Sequence, residues 1–337
     1  MEITLIVPFL ITFALCLYAL RKWIKKCRQV GFLWEDMNKV NKIKNVAASG
    51  GVIVIVSFVL GVLTYIAIRT FILGGNGETI EIFALLCSIL ILAFVGFVDD
   101  VLGWTFKGLS VRFRLFLALV ASIPLVVINA GYGVIDVPFI GLVNFGLLYP
   151  IVIIPIGIAG AATTYNFLAG FNGLESGQGI IIMLFLSLIA YLTGSIWLAM
   201  VGLCMVSSLI VFYFYNKYPA KVFPGDVLTY SLGALIAIMA ILGNFEKIAL
   251  FIFIPYIIET ILKIRGKLVK QSFAKVNEDK SLELPYDKIY GLTHLSLLIL
   301  KKFKRKVYER DVVYLIFTFQ IIICLIALFI FKGVLFG

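Results

Sequence analysis

Long apolar runs separated by short polar intervals set the pattern of this chain. A helix needs about 20 mostly apolar residues to cross the hydrocarbon core of a bilayer. Ten stretches are read as spans: 3–20, 51–73, 80–98, 115–130, 147–165, 179–193, 196–215, 227–243, 248–264 and 312–334, of which 115–130 and 179–193 are short. The first is followed by basic residues and by no small-residue cleavage site, so it reads as a span and not as a removable signal. No repeat of sequence or hydropathy is visible, unlike transporters built on inverted repeats. The expected fold is all-α and integral to the membrane, with ten transmembrane helices in one polytopic domain over residues 1–337.

The intervals fall into two alternating sets. One comprises 21–50, 99–114, 166–178, 216–226 and 265–311; the other comprises the termini, 74–79, 131–146, 194–195 and 244–247. Of the 29 Lys and Arg residues, 26 lie in the first set or at the tail of the ninth span, leaving Arg69, Lys247 and Lys332. An excess of basic residues marks the cytoplasmic face, so the first set is predicted to be cytoplasmic and both termini outside. Only 14% of residues are charged and 62% are hydrophobic, with a mean hydropathy of +1.09. That is too little charge to cover a water-exposed surface. The formal net charge of +11 therefore reads as topology, with some basic surface left for anionic lipid or ligand, and not as a nucleic-acid footprint.

Two intervals carry local structure of their own. GYGVIDVPFIGLVNFG (131–146) alternates weakly, is punctuated by Gly and Pro, and reads as a small external hairpin. GLTHLSLLILKKFKRKVYER (291–310) places Leu292, Leu295, Leu298 and Ile299 on one helical face and crowds basic residues at its end, the mark of an interfacial amphipathic helix. His294, the one histidine, reads as a residue of that interface. Five scattered cysteines with no C-x-x-C pair, and a single histidine, speak against disulfides, a His-ligated zinc cluster and histidine-centred triads.

The acids and amides gather on the predicted cytoplasmic side. In GFVDDVLGWTFKGLSVRFR (96–114), Asp99 and Asp100 directly follow an apolar span, where a bare carboxylate is costly. Neighbouring residues on a helix point about 100° apart, so the pair need not share a partner. In NFLAGFNGLESGQG (166–179), two asparagines, a glutamate and four glycines interrupt two apolar runs. In NKYPAKVFPGDVLTY (216–230), Asp226 sits behind Pro224-Gly225. Each has a bland reading: Asp226 as a helix cap, Asp99 and Asp100 as helix-end charges, Glu175 as a solvated cap. Taken together, oxygen donors without His or Cys suit Mg²⁺ shared with substrate phosphates, and abundant Lys and Arg suit phosphate oxygens. The joint reading is a magnesium–phosphate site at the cytoplasmic mouth of a helical bundle.

These segments resemble a known family. NFLAGFNGLESGQG is similar to the N-x-L-A-G-x-N-G-L-E-x-G-Q segment of the eukaryotic and archaeal polyprenyl-phosphate N-acetylglucosamine-1-phosphate transferases. FPGDVLTY (223–230), GFVDDVL (96–102) and WEDMNK (34–39) resemble that family's F-x-G-D-T-x-x-Y, G-F-x-D-D-V-L and G-x-D-x-N-K, collinear along nearly the whole chain. Bacterial phospho-MurNAc-pentapeptide translocases share the superfamily and the ten-span plan, but their histidine-rich loop is missing here.

The resemblance implies transfer of GlcNAc-1-phosphate from UDP-GlcNAc to a polyprenyl (dolichyl-type) phosphate, with release of UMP. It implies Asn166 and Asp226 as ligands of Mg²⁺, with Mn²⁺ as an alternative, and Asn172 and Gly173 near the uracil or its ribose. Glu175, Asn38, Lys39, Lys270 and Lys275 complete the implied substrate-binding set. Asp99 and Asp100 would position or deprotonate the lipid phosphate. The basic residue that steadies the pyrophosphate falls on Arg114, with Lys107 second. Expected partners are the two substrates and the bilayer, with a homodimer allowed and no nucleic acid.

Three features depart from the family pattern. Ala47-Ala48 stands where relatives have Pro-Glu, Arg replaces the usual Lys, and Ser272 stands where an Arg is expected in the last loop. The short interval between 277 and 309 points to an archaeal cell membrane. The rival readings are a flippase or transporter for a lipid-linked or phosphorylated sugar, a non-catalytic subunit of a glycosyl transfer complex, and a bacterial-type undecaprenyl-phosphate transferase. Glu259, deep in the ninth span, is the main feature favouring the transporter.

Overall fold

A computed structural model describes residues 3–40, 44–75, 77–137 and 141–335 of the chain. Its helices are α1 (Val7–Val30), α2 (Gly51–Phe71), α3 (Thr79–Thr105), α4 (Val111–Val120), α5 (Ile123–Val127), α6 (Ile154–Phe167), α7 (Leu174–Leu192), α8 (Ile196–Asn216), α9 (Gly225–Gly243), α10 (Glu246–Ile252), α11 (Ile254–Arg265), α12 (Leu292–Phe303), α13 (Glu309–Ile330) and α14 (Lys332–Leu335). A short 3₁₀ turn precedes α1, and a π-helical turn, Tyr149–Ile153, leads into α6. Among the described residues three two-stranded antiparallel sheets decorate the loops: β1 (Leu33–Glu35) with β2 (Lys44–Ala47), β3 (Val134–Val137) with β4 (Gly141–Asn144), and β5 (Lys275–Val276) with β6 (Leu282–Glu283).

Among the described residues, eight helices are long and apolar enough to cross a membrane. The other two predicted spans are each divided. Segment 115–130 becomes α4 and α5, and segment 248–264 becomes α10 and α11, with Pro124 and Pro255 in the first turns of α5 and α11. Proline has no N–H to give and clashes with the preceding turn, so a helix restarts at it more easily than it continues through it. At the second break the freed Ile252 carbonyl accepts from Gln320 Nε2 of α13 at 2.9 Å. A side chain thus replaces the lost helical bond where lipid offers none.

Helix α9 is buried along nearly its whole length and is flanked by α3 and α6. Close approach of α3 to its first turn depends on Gly96: a Cβ there would lie 2.5 Å from the Asp226 carbonyl carbon and Val227 nitrogen.

Several helix ends differ from the sequence expectation. α1 runs ten residues past its predicted end because a buried stripe, Thr12, Cys16, Leu20, Ile24 and Cys27, continues at helical spacing beneath the basic residues. α3 extends to Thr105, so Asp99 and Asp100 lie inside the helix instead of after it. α7 starts at Leu174, which makes Glu175 to Gln178 its buried first turn and not a loop.

The first loop is zipped onto the segment ahead of α9. Ala47 bridges Val222 in parallel, the Phe223 N–H donates to the Ala47 carbonyl at 2.8 Å, and the Gly50 and Gly51 N–H groups donate to Phe223 and Pro224 carbonyls at 2.9 and 3.0 Å. The predicted hairpin is present as β3–β4, with its tip at 138–140 outside the described residues. The predicted amphipathic helix is present as α12, but turned. Its buried side carries Leu292, Thr293, His294, Ser296 and Leu297, while Leu298 and Ile299 are exposed. His294 is therefore no interfacial residue. It is packed inside, with Nε2 3.3 Å from the Phe273 carbonyl and Nδ1 accepting the Tyr290 N–H at 3.4 Å. Burial pushes its imidazole below the ordinary value.

Candidate active site

Asp226 sits in the first turn of α9, yet its carboxylate does not cap that helix. The cap comes from another element. Asp100 Oδ1 accepts the Asp226 N–H at 2.9 Å, and its Oδ2 accepts the Ser49 hydroxyl at 2.7 Å. A helix start leaves its first N–H groups without intrahelical partners, and here α3 supplies the acceptor across the interface. Gly225, with φ of +72°, makes the turn possible, since a Cβ there would be 2.1 Å from Asp100 Oδ2.

Relieved of capping, Asp226 turns to charged and amide partners. Its Oδ2 is 3.2 Å from Arg114 Nη1 and its Oδ1 accepts from Asn166 Nδ2 at 2.9 Å. The same Arg114 nitrogen lies 2.7 Å from Asp99 Oδ2, while Asp99 Oδ1 accepts the Leu109 N–H. So the adjacent aspartates split their work, as their helical angle predicts: Asp99 holds a guanidinium and Asp100 holds a helix end. Arg114 itself is carried by α4, whose start is capped by Ser110 Oγ accepting the Phe113 N–H at 3.3 Å. Asn166 closes the last turn of α6.

These groups open onto one cavity of about 800 Å³, whose walls also include Trp34, Glu175, Phe223 and Phe273. Three carboxylates against one guanidinium leave a formal excess of two negative charges. Arg114 Nε is buried and has no hydrogen-bond partner among the described residues, so the guanidinium retains unused donor capacity. The arrangement can take a cation on its acidic side and an anion on its basic side.

The remaining predicted residues divide. Glu175 lines the cavity and accepts the Gly170 N–H at 2.9 Å; it is buried, not a solvated cap. Asn172 is buried away from the cavity, with Nδ2 donating to Asp36 Oδ2 at 2.9 Å. Gly173, at φ +83°, starts α7 against Lys217. Asn38 is buried and donates through Nδ2 to the Gly170 carbonyl at 2.7 Å. Lys107 is exposed and does not border the cavity, whereas Arg114 does. Lys270 is exposed and lies over the Tyr286 ring at 4.7 Å. Lys39 and Lys275 border a smaller cavity of about 290 Å³, which shares Met37, Gln271 and Phe273 with the larger one.

Sequence reasoning missed Ser49, Trp34, Gln271 and Phe273. Ser49 and Trp34 had signals, the V-A-A-S-G-G run and the WEDMNK segment; Gln271 and Phe273 border the site only because loops distant in sequence meet there. Ser272, standing where an Arg was expected, is buried and accepts from Lys263 Nζ at 2.6 Å.

Comparison with known proteins adds a lineage to this geometry. Residues 82–244 match the profile of glycosyl transferase family 4. A Sulfolobus acidocaldarius protein is 35% identical over 309 residues, covering 91% of this chain and 90% of that one. The chain belongs to glycosyl transferase family 4. The matched region of the family runs from within α3 to the start of the α9–α10 turn, so it contains Asp99, Asp100, Arg114, Asn166, Glu175 and Asp226. Lys39, Lys270 and Lys275 lie outside it.

A Saccharolobus solfataricus relative is 35% identical over 332 residues, 96% of each chain. Both archaeal relatives are provisionally named UDP-N-acetylglucosamine–dolichyl-phosphate N-acetylglucosaminephosphotransferase. A Dictyostelium discoideum member carrying the same name is 31% identical over 267 residues, 68% of this chain and 64% of that one.

Proposed function

We propose that this chain transfers N-acetylglucosamine-1-phosphate from UDP-GlcNAc to a polyprenyl, dolichyl-type phosphate. An oxygen of the lipid phosphate bonds to the β-phosphorus of the nucleotide. The bond from that phosphorus to the bridging oxygen breaks, and UMP leaves with the oxygen and its electron pair. The observation that carries this reading is the convergence of Asp99, Asp100, Asn166, Asp226 and Arg114 on one cavity at the ends of apolar helices. The names of the archaeal relatives, matched over nine-tenths or more of their length, support the substrates.

Two anions must meet in such a reaction, so catalysis rests on neutralising charge and aligning phosphates. Arg114, with its Nε unused, takes a share of the diphosphate charge. Asp99 aims Arg114, and Asp100 keeps Asp226 in register through the start of α9. The donors fit a magnesium ion: all are oxygens, the site holds excess negative charge, and Asn166 Oδ1 makes no protein hydrogen bond among the described residues. Among those residues no three His, Cys, Asp or Glu form a ready cage, so a bound cation would need waters and phosphate oxygens to complete its shell. Asp226 and Asn166 would hold Mg²⁺, or Mn²⁺ on the same oxygens, which when bound neutralises the diphosphate.

In this reading α4–α5 and α10–α11 complete ten passes, the site faces the cytoplasm and the protein resides in an archaeal cell membrane. Glu259, which favours a transporter, has structural partners: the Leu292 N–H, Ser272 Oγ at 3.5 Å and Lys263 Nζ at 3.8 Å. The test uses purified protein, a short polyprenyl phosphate and sugar-labelled UDP-GlcNAc. Labelled lipid that requires Mg²⁺ and is lost in Asp226→Ala is expected; labelled lipid formed equally well with chelator present, or by the variant, would remove Asp226 from the mechanism.

A further inference from the structure

The cavity wall formed by Ala169, Gly170 and Phe171 lies between α6 and α7 and belongs to no regular element. Such a segment must satisfy its backbone groups one at a time. The Gly170 N–H goes to Glu175, the Gly170 carbonyl to Asn38, and the Asn172 N–H to Glu309 Oε1 at 2.7 Å. The last acceptor comes from the far end of the chain. Glu309 is the first residue of α13 and only 3% exposed, and Tyr308 and Asp311 cap that helix by themselves. Its carboxylate is therefore free for outside work.

The second carboxylate oxygen of Glu309 lies 2.8 Å from Lys39 Nζ. Lys39 also reaches Asp36 Oδ2 at 3.3 Å, the same oxygen that takes the Asn172 amide, and it stands over the Tyr218 ring at 3.9 Å. Asn172 is thus gripped by backbone and side chain through two carboxylates that share one lysine. Charge-assisted bonds of this kind are shorter and stronger than neutral ones, and two negative groups buried around one ammonium hold only if the geometry is kept.

We infer that Glu309 is a positioning residue for the nucleotide half of the donor: through Asn172 and Lys39 it fixes the Ala169–Phe171 wall against which a uridine phosphate binds. This rests on the proposed reaction. It differs from a direct contact, because Glu309 does not border the larger cavity.

The test measures UMP binding by calorimetry on the purified full chain, with steady-state kinetics for both substrates. Glu309→Ala is expected to weaken UMP binding and raise the KM for UDP-GlcNAc roughly tenfold, the scale of one buried hydrogen bond to a charged group, with kcat changed less than about threefold. The KM for polyprenyl phosphate stays as in wild type. Glu309→Gln, which keeps an acceptor for the Asn172 N–H, falls between. A loss confined to kcat, with UMP affinity unchanged, overturns the inference. Should Glu309→Ala fail to fold, Lys39→Met removes the same ion pair from its more exposed end and must show the same split; unchanged UMP affinity there overturns it equally. Wild-type protein that binds UMP but transfers no GlcNAc-phosphate would contradict the reaction while leaving the binding comparison decisive for Glu309.

Discussion

Arg114 is the residue on which the charge of the site turns. One of its nitrogens contacts both Asp99 and Asp226, and its Nε is buried without a partner among the described residues. Removing a group that stabilises developing phosphate charge typically costs on the order of a hundredfold or more in kcat. We expect Arg114→Ala to lower the rate of UMP release by roughly that factor, and Arg114→Lys to recover part of it, because lysine keeps the charge but not the planar fork. Near-wild-type turnover in Arg114→Ala would mean that the diphosphate is neutralised elsewhere.

At this scale much was legible in the sequence. An acid pair at the end of an apolar run stood out as costly there, although each acid also had a bland reading as a helix-end charge, and it was the family resemblance that favoured Arg114 over Lys107. Asn172 was not legible. Its commitment to Asp36 depends on a loop more than a hundred positions away in sequence.

At the scale of elements, the site is a consequence of how closely α3 meets the start of α9. Gly96 permits that contact and Gly225 permits the turn. A side chain at 96 would press on the α9 backbone and lever Asp99 and Asp100 away from Asp226. Overpacking of this kind costs about 1–3 kcal/mol. Gly96→Leu should therefore lower the thermal midpoint and activity together, whereas Gly157→Ala on α6, where a Cβ would meet nothing within 4 Å, should lower neither.

The long helices were readable from hydropathy, but their ends were not. α7 begins five residues early because Ser176 and Gln178 find buried partners, Ser176 Oγ donating to Asn216 Oδ1 at 2.7 Å and Gln178 Nε2 to the Ile316 carbonyl at 3.2 Å. Polar residues look like loop in a one-dimensional profile and like helix once a neighbour satisfies them. The turned face of α12 has the same cause: Thr293 Oγ1 and His294 find acceptors on the 272–273 backbone, so apolar Leu298 and Ile299 are left outside.

For the whole molecule, the distribution of basic residues makes a topological statement. Residue 107 should face the cytoplasm and residue 142, in β4, the outside. With Cys87 replaced by Ser, Leu142→Cys should react with a membrane-impermeant thiol reagent in intact cells and Lys107→Cys only after the membrane is opened. The reverse pattern would invert the protein and place the acidic cavity away from cytoplasmic nucleotide. Sequence can state this expectation because it depends on composition and order, whereas the cavity depends on five loops folding over one another.

The central claim is that a phosphate moves with the sugar. UDP-GlcNAc radiolabelled at its β-phosphorus tests it directly, with purified protein, polyprenyl phosphate and Mg²⁺. The account predicts that the label enters the lipid and that the nucleotide product is unlabelled UMP. Label recovered in UDP, with sugar on the lipid, would show that the sugar moves alone and would contradict phosphoryl transfer at the Asp99–Asp226–Arg114 site.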